Sequence, residues 1–260
     1  MQSLKIKIKL NTNKIYFNEG MRIMFLKKKV EVSKVDKTLG TDVFKKLKVD
    51  FKSLDLDLNV GDHFEIHYAG PEDNEPELEQ NGDQLILTQT NSESHDFHWQ
   101  KGVFRIEFSQ GEGKVTVTVP QDVELEEAEV KCKSGNLSVN GIDFKIADLQ
   151  TLSGNLQVDN SKFEEASFLL VSGDLKVKET EITQGIAHLT SGDFTMKQSR
   201  VLKQMRVKTV SGDNWVKETQ VDRCEAQTVS GDVSIANKKN YVDDGSELFL
   251  STVSGDNRVE

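Results

Sequence analysis

Seen as a string of apolar and polar positions, the C-terminal half of the chain repeats itself. Ser-Gly followed by Asn or Asp occurs at Ser134, Ser153, Ser172, Ser191, Ser211, Ser230 and Ser254, at spacings of 19, 19, 19, 20, 19 and 24 residues. Five places after each serine stand Val139, Val158, Val177, Met196, Val216, Ile235 and Val259. Four places before stand Val130, Leu149, Phe168, Ala187, Val207, Ala226 and Leu250. Nine places before the first six serines stand Leu125, Phe144, Phe163, Ile182, Leu202 and Val221. Every one of these positions is apolar in a chain that is only 36% hydrophobic, so they read as core columns.

The period selects the architecture. Common helical repeats need about 33 residues or more, and the Leu/Asn signature of leucine-rich repeats is absent. Between the turns the chain reads as short alternating strands, "DLKVKE", "DFTMKQ" and "DVSIAN", and proline is missing after Pro120. Coils of about 19 residues, each holding two or three strands and stacked at ~4.8 Å on the next, satisfy every column. The expected fold is therefore all-β: a single-stranded β-solenoid (β-helix) with an irregular β cap at its N-terminal end.

In this frame the Ser-Gly-Asp triplet builds shape. Gly135, Gly154, Gly173, Gly192, Gly212, Gly231 and Gly255 are the structural turns, because glycine alone reaches positive φ without a Cβ cost. The flanking Ser and Asp are expected to bond backbone amides at the corner. Thr209, Thr228 and Thr252, two places before their serines, are expected to stack as a hydroxyl ladder.

Upstream, "VDFKSLDLDLNVGDHFEIHY" alternates Leu54, Leu56 and Leu58 with Asp55 and Asp57, a half-buried strand. A turn at Gly61-Asp62 leads to a second strand through Phe64, Ile66 and Tyr68, and "GPEDNEPELEQNGD" reads as a polar loop. "QLILTQT", "VFRIEFS" and "KVTVTVP" supply further strands. The expected divisions are a basic leader, partly strand or disordered, over residues 1–48, capping strands over 49–119 and the repeat solenoid over 120–260.

The order of "LDLDL…GDHFEIHYAG", "NGDQLILTQ", "VTVTVP" and serial "SGD" resembles the bacterial putative-adhesin family, a domain of unknown function built from repeated β-strands. The resemblance covers roughly Val49 to Glu260. It implies a one-handed β-solenoid, no known enzymatic activity and frequent association with the bacterial cell envelope.

Charge changes the picture at one point. Of 33 basic and 43 acidic residues, 14 and 5 fall between Met1 and Lys52, leaving 19 against 38 in the remainder. A basic arm thus precedes an acidic body, suited to anionic lipid, nucleic acid or the body itself. No run approaches the ~18 apolar residues of a membrane span, and no signal peptide is readable. The sequence therefore leaves the envelope and the cytoplasm both open.

Candidate chemistry is sparse. Two cysteines, Cys132 and Cys224, belong to coils too far apart to bond. The Asp174, Asp193, Asp213, Asp232 and Asp256 column lacks the Gly-Gly-x-Gly-x-Asp pattern of calcium β-rolls. His63 and His67, and His95 and His98, have nothing that brings them together as metal ligands. Phosphate loops, dinucleotide fingerprints, nucleophile elbows and zinc cysteine spacings are all missing. No cofactor, metal or catalytic residue is expected.

The outward positions are more informative. Places four and six after each serine point away from the core if three and five point in, which sets Lys176, Lys178, Lys197, Trp215 and Lys217 on three successive coils. Such a strip suits an anionic polymer, a glycan or an acidic protein patch at the cell envelope, with no specific nucleic acid expected. The polar residues of the last strand predict a monomer. The sequence thus reads as a non-catalytic adhesin-like scaffold or binding module of the bacterial envelope. The alternatives are a carbohydrate-active β-helix enzyme and a cytoplasmic assembly module.

Overall fold

A computed structural model describes residues 33–90, 113–236 and 247–259, and the backbone of three short strands before them. Those three, Lys7–Lys9, Lys14–Tyr16 and Met24–Leu26, pair antiparallel within a separate unit, Met1–Ser33. The second unit, Lys34–Glu260, holds the repeats. "VFRIEFS", His95, His98 and most of the long insertion before Ser254 lie outside the described residues.

The apolar columns become two parallel sheets that share one core. Coils one to seven each send a long strand to one sheet: Glu124–Cys132, Asp143–Ser153, Lys162–Ser172, Glu181–Ser191, Arg200–Ser211, Arg223–Ser230 and Glu247–Ser254. Their short strands form the other: Leu137–Asn140, Leu156–Asp159, Leu175–Lys178, Phe194–Lys197, Asn214–Lys217, Val233–Ala236 and Asn257–Val259. Register follows the repeat, so Val139, Val158, Val177, Met196, Val216 and Ile235 stand in line and are buried. Phe144 stacks on Phe163 at 5.0 Å in the neighbouring column. The β-solenoid predicted by periodicity is present, with two strands per coil.

One column position departs from the sequence expectation. The spacing of 20 residues between Ser191 and Ser211 is absorbed as a bulge, where Ile182 pairs with Val201 but Gln184 pairs with Gln204. Val201 is therefore the buried member, and Leu202 is only half-buried. An inserted residue in a strand flips the inside/outside phase until a bulge resets it. Counting back from the serine crosses that bulge and lands one residue off.

The Ser-Gly-Asp corner is held by two interlocking ladders. Gly154, Gly173, Gly192, Gly212, Gly231 and Gly255 adopt φ between +132° and +157°. A Cβ on any of them would lie 2.0–2.2 Å from the carbonyl oxygen of the glycine one coil below. At Gly135 the obstacle is the carbonyl oxygen of Leu54, 2.1 Å away. Beside the glycines, each Asn or Asp side chain accepts the backbone N–H of its counterpart one coil on. Asp193 N–H donates to Asp174 Oδ1 (3.1 Å), Asp213 N–H to Asp193 Oδ1 (2.9 Å) and Asp232 N–H to Asp213 Oδ1 (2.8 Å). The threonine column does not bond to itself. Thr228 and Thr252 donate to Gly212 O and Gly231 O at 3.1 and 3.0 Å, which ties the strand to the corner below.

The N-terminal region carries a hidden coil. Lys46–Phe51 and Asp55–Gly61 lie directly beneath coil one, with Val49 opposite Val130 and Leu56 opposite Leu137. Its corner is Ser53-Leu54-Asp55, and Asn136 N–H donates to Asp55 Oδ1 at 2.7 Å, so the acceptor ladder begins there. Gln84–Thr88 and Lys114–Pro120 form the layer beneath it. The stack therefore runs out of chain order, because the coil made first is sandwiched between two made later. Antiparallel strands Glu65–Pro71, Lys34–Gly40 and Glu77–Asn81 finish that end.

Two expectations change in consequence. Residues 34–48 are not leader: strand Lys34–Gly40 and part of Lys46–Phe51 belong to the solenoid body. The polar stretch from Gly70 is no simple loop, since Glu77–Asn81 pairs with Gln84–Thr88 across a turn at Gly82. Leu78 is the single apolar residue of that strand, so no alternation marks it.

Two glycines separate crowding from conformation. Gly192→Ala places a methyl against backbone that cannot move without shifting the coil below, and costs more than ~3 kcal/mol. Gly82→Ala meets nothing within 4 Å and keeps only the φ penalty at +63°, roughly 1–2 kcal/mol. Thermal unfolding distinguishes them; equal losses for the two variants contradict the close stacking.

Candidate functional site

The outer face of the short-strand sheet is set by the alternation that fills the core. Because Leu175 and Val177 point inward, Lys176 and Lys178 point out, and both are exposed. Register places Lys178 beside Lys197, and Lys197 beside Lys217. Lys176 adjoins Thr195, which adjoins Trp215. All five expected residues thus lie on one face of coils three, four and five.

The lysines are not equivalent. Lys178 Nζ lies 2.9 Å from Glu179 Oε1, and that carboxylate holds the ammonium's pKa above its usual value. Lys217 Nζ sits 5.1 Å from the centre of the Trp215 ring, a cation–π contact on a half-buried indole. Lys197 has neither kind of partner among the described residues. The ladder therefore presents one free cation between two engaged ones.

The corner that follows explains the neighbouring acids. Asn160, Glu179, Gln198 and Glu218 occupy left-handed backbone at φ 47–50°, in line with Gly141 at +77°. Each costs about 1 kcal/mol, offset by a buried hydroxyl column one residue on. Ser161, Thr180, Ser199 and Thr219 donate to the carbonyls of Asp159, Lys178, Lys197 and Lys217 at 2.7–2.8 Å. The sequence signal for this second corner is a Ser or Thr eight places after four successive serines.

Other candidates resolve into structure. His67 Nε2 pairs with Asp36 at 2.8 Å between two capping strands, and His63 Nε2, in the bend before Glu65–Pro71, lies 3.8 Å from Glu65. Among the described residues no group of three His, Cys, Asp or Glu is placed to hold a metal ion. The carboxylates of the corner column are acceptors for backbone amides, not a facing pair. Burial pushes both Cys132 and Cys224 thiols up to about 12, and both are free.

The family profile described as Toastrack DUF4097 matches residues 44–260. The chain belongs to the Toastrack DUF4097 family. Its description suits the parallel, in-register coils of this body. Among solved structures, one titled a putative lipid binding protein from Parabacteroides distasonis superimposes with a TM-score of 0.52 at 15% identity, covering 87% of this chain and 97% of its own. A putative adhesin from Bacteroides fragilis gives a TM-score of 0.44 at 11% identity, over 88% and 97%. One from Parabacteroides merdae gives 0.36 at 12%, over 90% and 99%. At such identities the first of these likenesses speaks for the fold alone. No curated protein matches the chain.

In this Toastrack body the thiols are a direct probe of core integrity. At pH 8 neither cysteine reacts with a thiol reagent until the protein unfolds, and both then titrate. The raised thiol pKa also has a sign. The folded state favours the protonated thiols, so stability is complete below the ordinary value of 9.0 and declines as pH rises toward about 12. Denaturant midpoints that stay flat over that range contradict it.

Proposed function

We propose that this Toastrack protein is a non-catalytic, adhesin-like scaffold of the bacterial envelope that holds an anionic polymer along its short-strand face. The observation that carries this reading is the register of Lys178, Lys197 and Lys217, one cation per coil in a straight column. A column at ~4.8 Å spacing offers a repeating ligand one contact per coil, whereas a small substrate would use only one or two. Trp215 adds an indole edge beside the column for the apolar face of a sugar or linker.

A catalytic reading has less behind it. Glycoside chemistry needs two carboxylates facing each other across a groove about 5–10 Å wide. Here the aligned Asp side chains bond backbone amides of adjacent coils on a convex corner. An envelope location follows the family resemblance, and membrane fractionation of the native host tests it.

The inequality of the lysines sharpens the binding test. With dextran sulfate as probe at low salt, Lys197→Gln weakens binding most among the three column lysines, because it removes the one that has no ion-pair or cation–π partner among the described residues. Glu179→Gln strengthens binding by releasing Lys178. Both effects fade at high salt, where exposed charges are screened. Equal binding by the wild type, Lys197→Gln and Glu179→Gln proteins sinks the assignment of this face.

A further inference from the structure

The chain holds two Asn-Gly pairs, Asn81-Gly82 and Asn140-Gly141, and the fold treats them oppositely. Asparagine before glycine is open to ring closure, because no Cβ shields the glycine nitrogen from the neighbouring side-chain amide. Whether the ring forms then depends on what already holds that nitrogen.

At Asn140 the nitrogen is taken. Asn140 ends the short strand Leu137–Asn140, paired with Asn59 on one side and Asp159 on the other. Gly141 N–H donates to Asp159 O at 3.1 Å, and a Cβ on Gly141 would lie 2.7 Å from Val60 Cγ1. Closing a ring there means breaking a backbone hydrogen bond first.

At Asn81 the nitrogen is open. Gly82 and Asp83 form the turn between Glu77–Asn81 and Gln84–Thr88, and Asn81, Gly82 and Asp83 are all exposed. Gly82 N–H meets no acceptor among the described residues, and nothing lies within 4 Å of the place a Cβ would take. Asn81 Nδ2 donates to Glu79 Oε1 at 2.9 Å, a contact between exposed side chains that water replaces at little cost. Strand Glu77–Asn81 is the last of its sheet among the described residues, so only one neighbour restrains it.

We propose that Asn81 is a self-modifying site whose only co-reactant is water. The Gly82 nitrogen gives up its proton to solvent and bonds to Asn81 Cγ, and the side-chain nitrogen leaves as ammonia. Water then opens the resulting cyclic imide at either of its carbonyls. Opening at Cγ leaves an aspartate with the ordinary backbone. Opening at the other carbonyl leaves isoaspartate, whose main chain runs through Cβ and Cγ.

Both products change the hairpin. A carboxylate replaces the amide that donated to Glu79, so attraction becomes repulsion. Isoaspartate also lengthens the main chain by one atom beside a two-residue turn, and the length of such a turn fixes the register of its hairpin. That register reaches further, because Asp83 O accepts the N–H of Lys45 and of Lys46 at 2.8 and 3.0 Å. Conversion therefore loosens the outermost strand of this sheet and the entry to Lys46–Phe51 together.

Peptide mapping by mass spectrometry tests the site, with the full chain aged in mildly alkaline buffer, folded and in denaturant. In the folded protein Asn81 is expected to convert about tenfold faster than Asn140, the rate equivalent of the backbone bond that Gly141 must break. In denaturant the two sites convert alike, since both are the same dipeptide. Amide hydrogen exchange of the aged folded protein rises across residues 77–81 and at Lys45 and Lys46. In Asn81→Gln protein aged alongside, where closure needs a larger ring, it stays at its starting level. Equal conversion of Asn81 and Asn140 in the folded chain overturns the proposal. So does an Asn81 that survives folded for as long as the denatured chain takes to convert. Exchange that rises equally in the aged Asn81→Gln protein overturns the loosening of the hairpin.

Discussion

Everything in this molecule depends on how closely one backbone can approach the next at the Ser-Gly-Asp corner. Coils stack at the β-sheet spacing only if their turns stack at it too, and a turn carrying a side chain is thicker than a strand. Glycine removes that obstacle, since the space a Cβ would need is already filled by the carbonyl oxygen beneath, 2.0–2.2 Å away. Its positive φ then orients the next residue so that an Asp or Asn oxygen meets the following coil's N–H. Ordinary turns leave polar backbone groups to water. This one passes them upward, coil by coil, so neither sheet frays at its corner.

The second corner solves the same problem by other means. Glu179, Gln198 and Glu218 accept the left-handed conformation that glycine takes at Gly141, and a buried hydroxyl closes each turn from within. That choice keeps side chains on the outside of the corner, immediately after the lysine column. The alternation of cation and carboxylate on this edge is thus a by-product of turn chemistry, and it decides which lysine is free.

How much of this was legible varies with how local the cause is. The repeat coils were readable because each core column recurs at one interval, and Val139 through Ile235 fell where counting placed them. Leu202 misled because a single inserted residue was absorbed in mid-strand, and only pairing partners reveal where a bulge resets the phase. The coil at Ser53-Leu54-Asp55 escaped notice because Leu54 replaces the diagnostic glycine. Its partner in the stack is also 81 residues away in sequence instead of 19. The five face residues were predictable as outward positions from alternation alone. Their inequality was not, because it depends on side-chain contacts between Lys178 and Glu179 and between Lys217 and Trp215.

The out-of-order layering at the N-terminal end has a physical consequence for assembly. Coils two to seven each rest on the coil just made, so they add by nearest-neighbour pairing over short sequence separations. The first coil cannot finish that way. Lys46–Phe51 needs Gln84–Thr88 on one edge and Glu124–Cys132 on the other, so its layer closes only after the chain has left and returned. Such closure is costly in entropy until both edges are paired. The cap and coil one therefore form as one cooperative block, onto which the regular coils propagate. A stack built this way has two long, flat flanks, one on each sheet. The repeating coils supply lysines to one of them and exposed aliphatic side chains to the other.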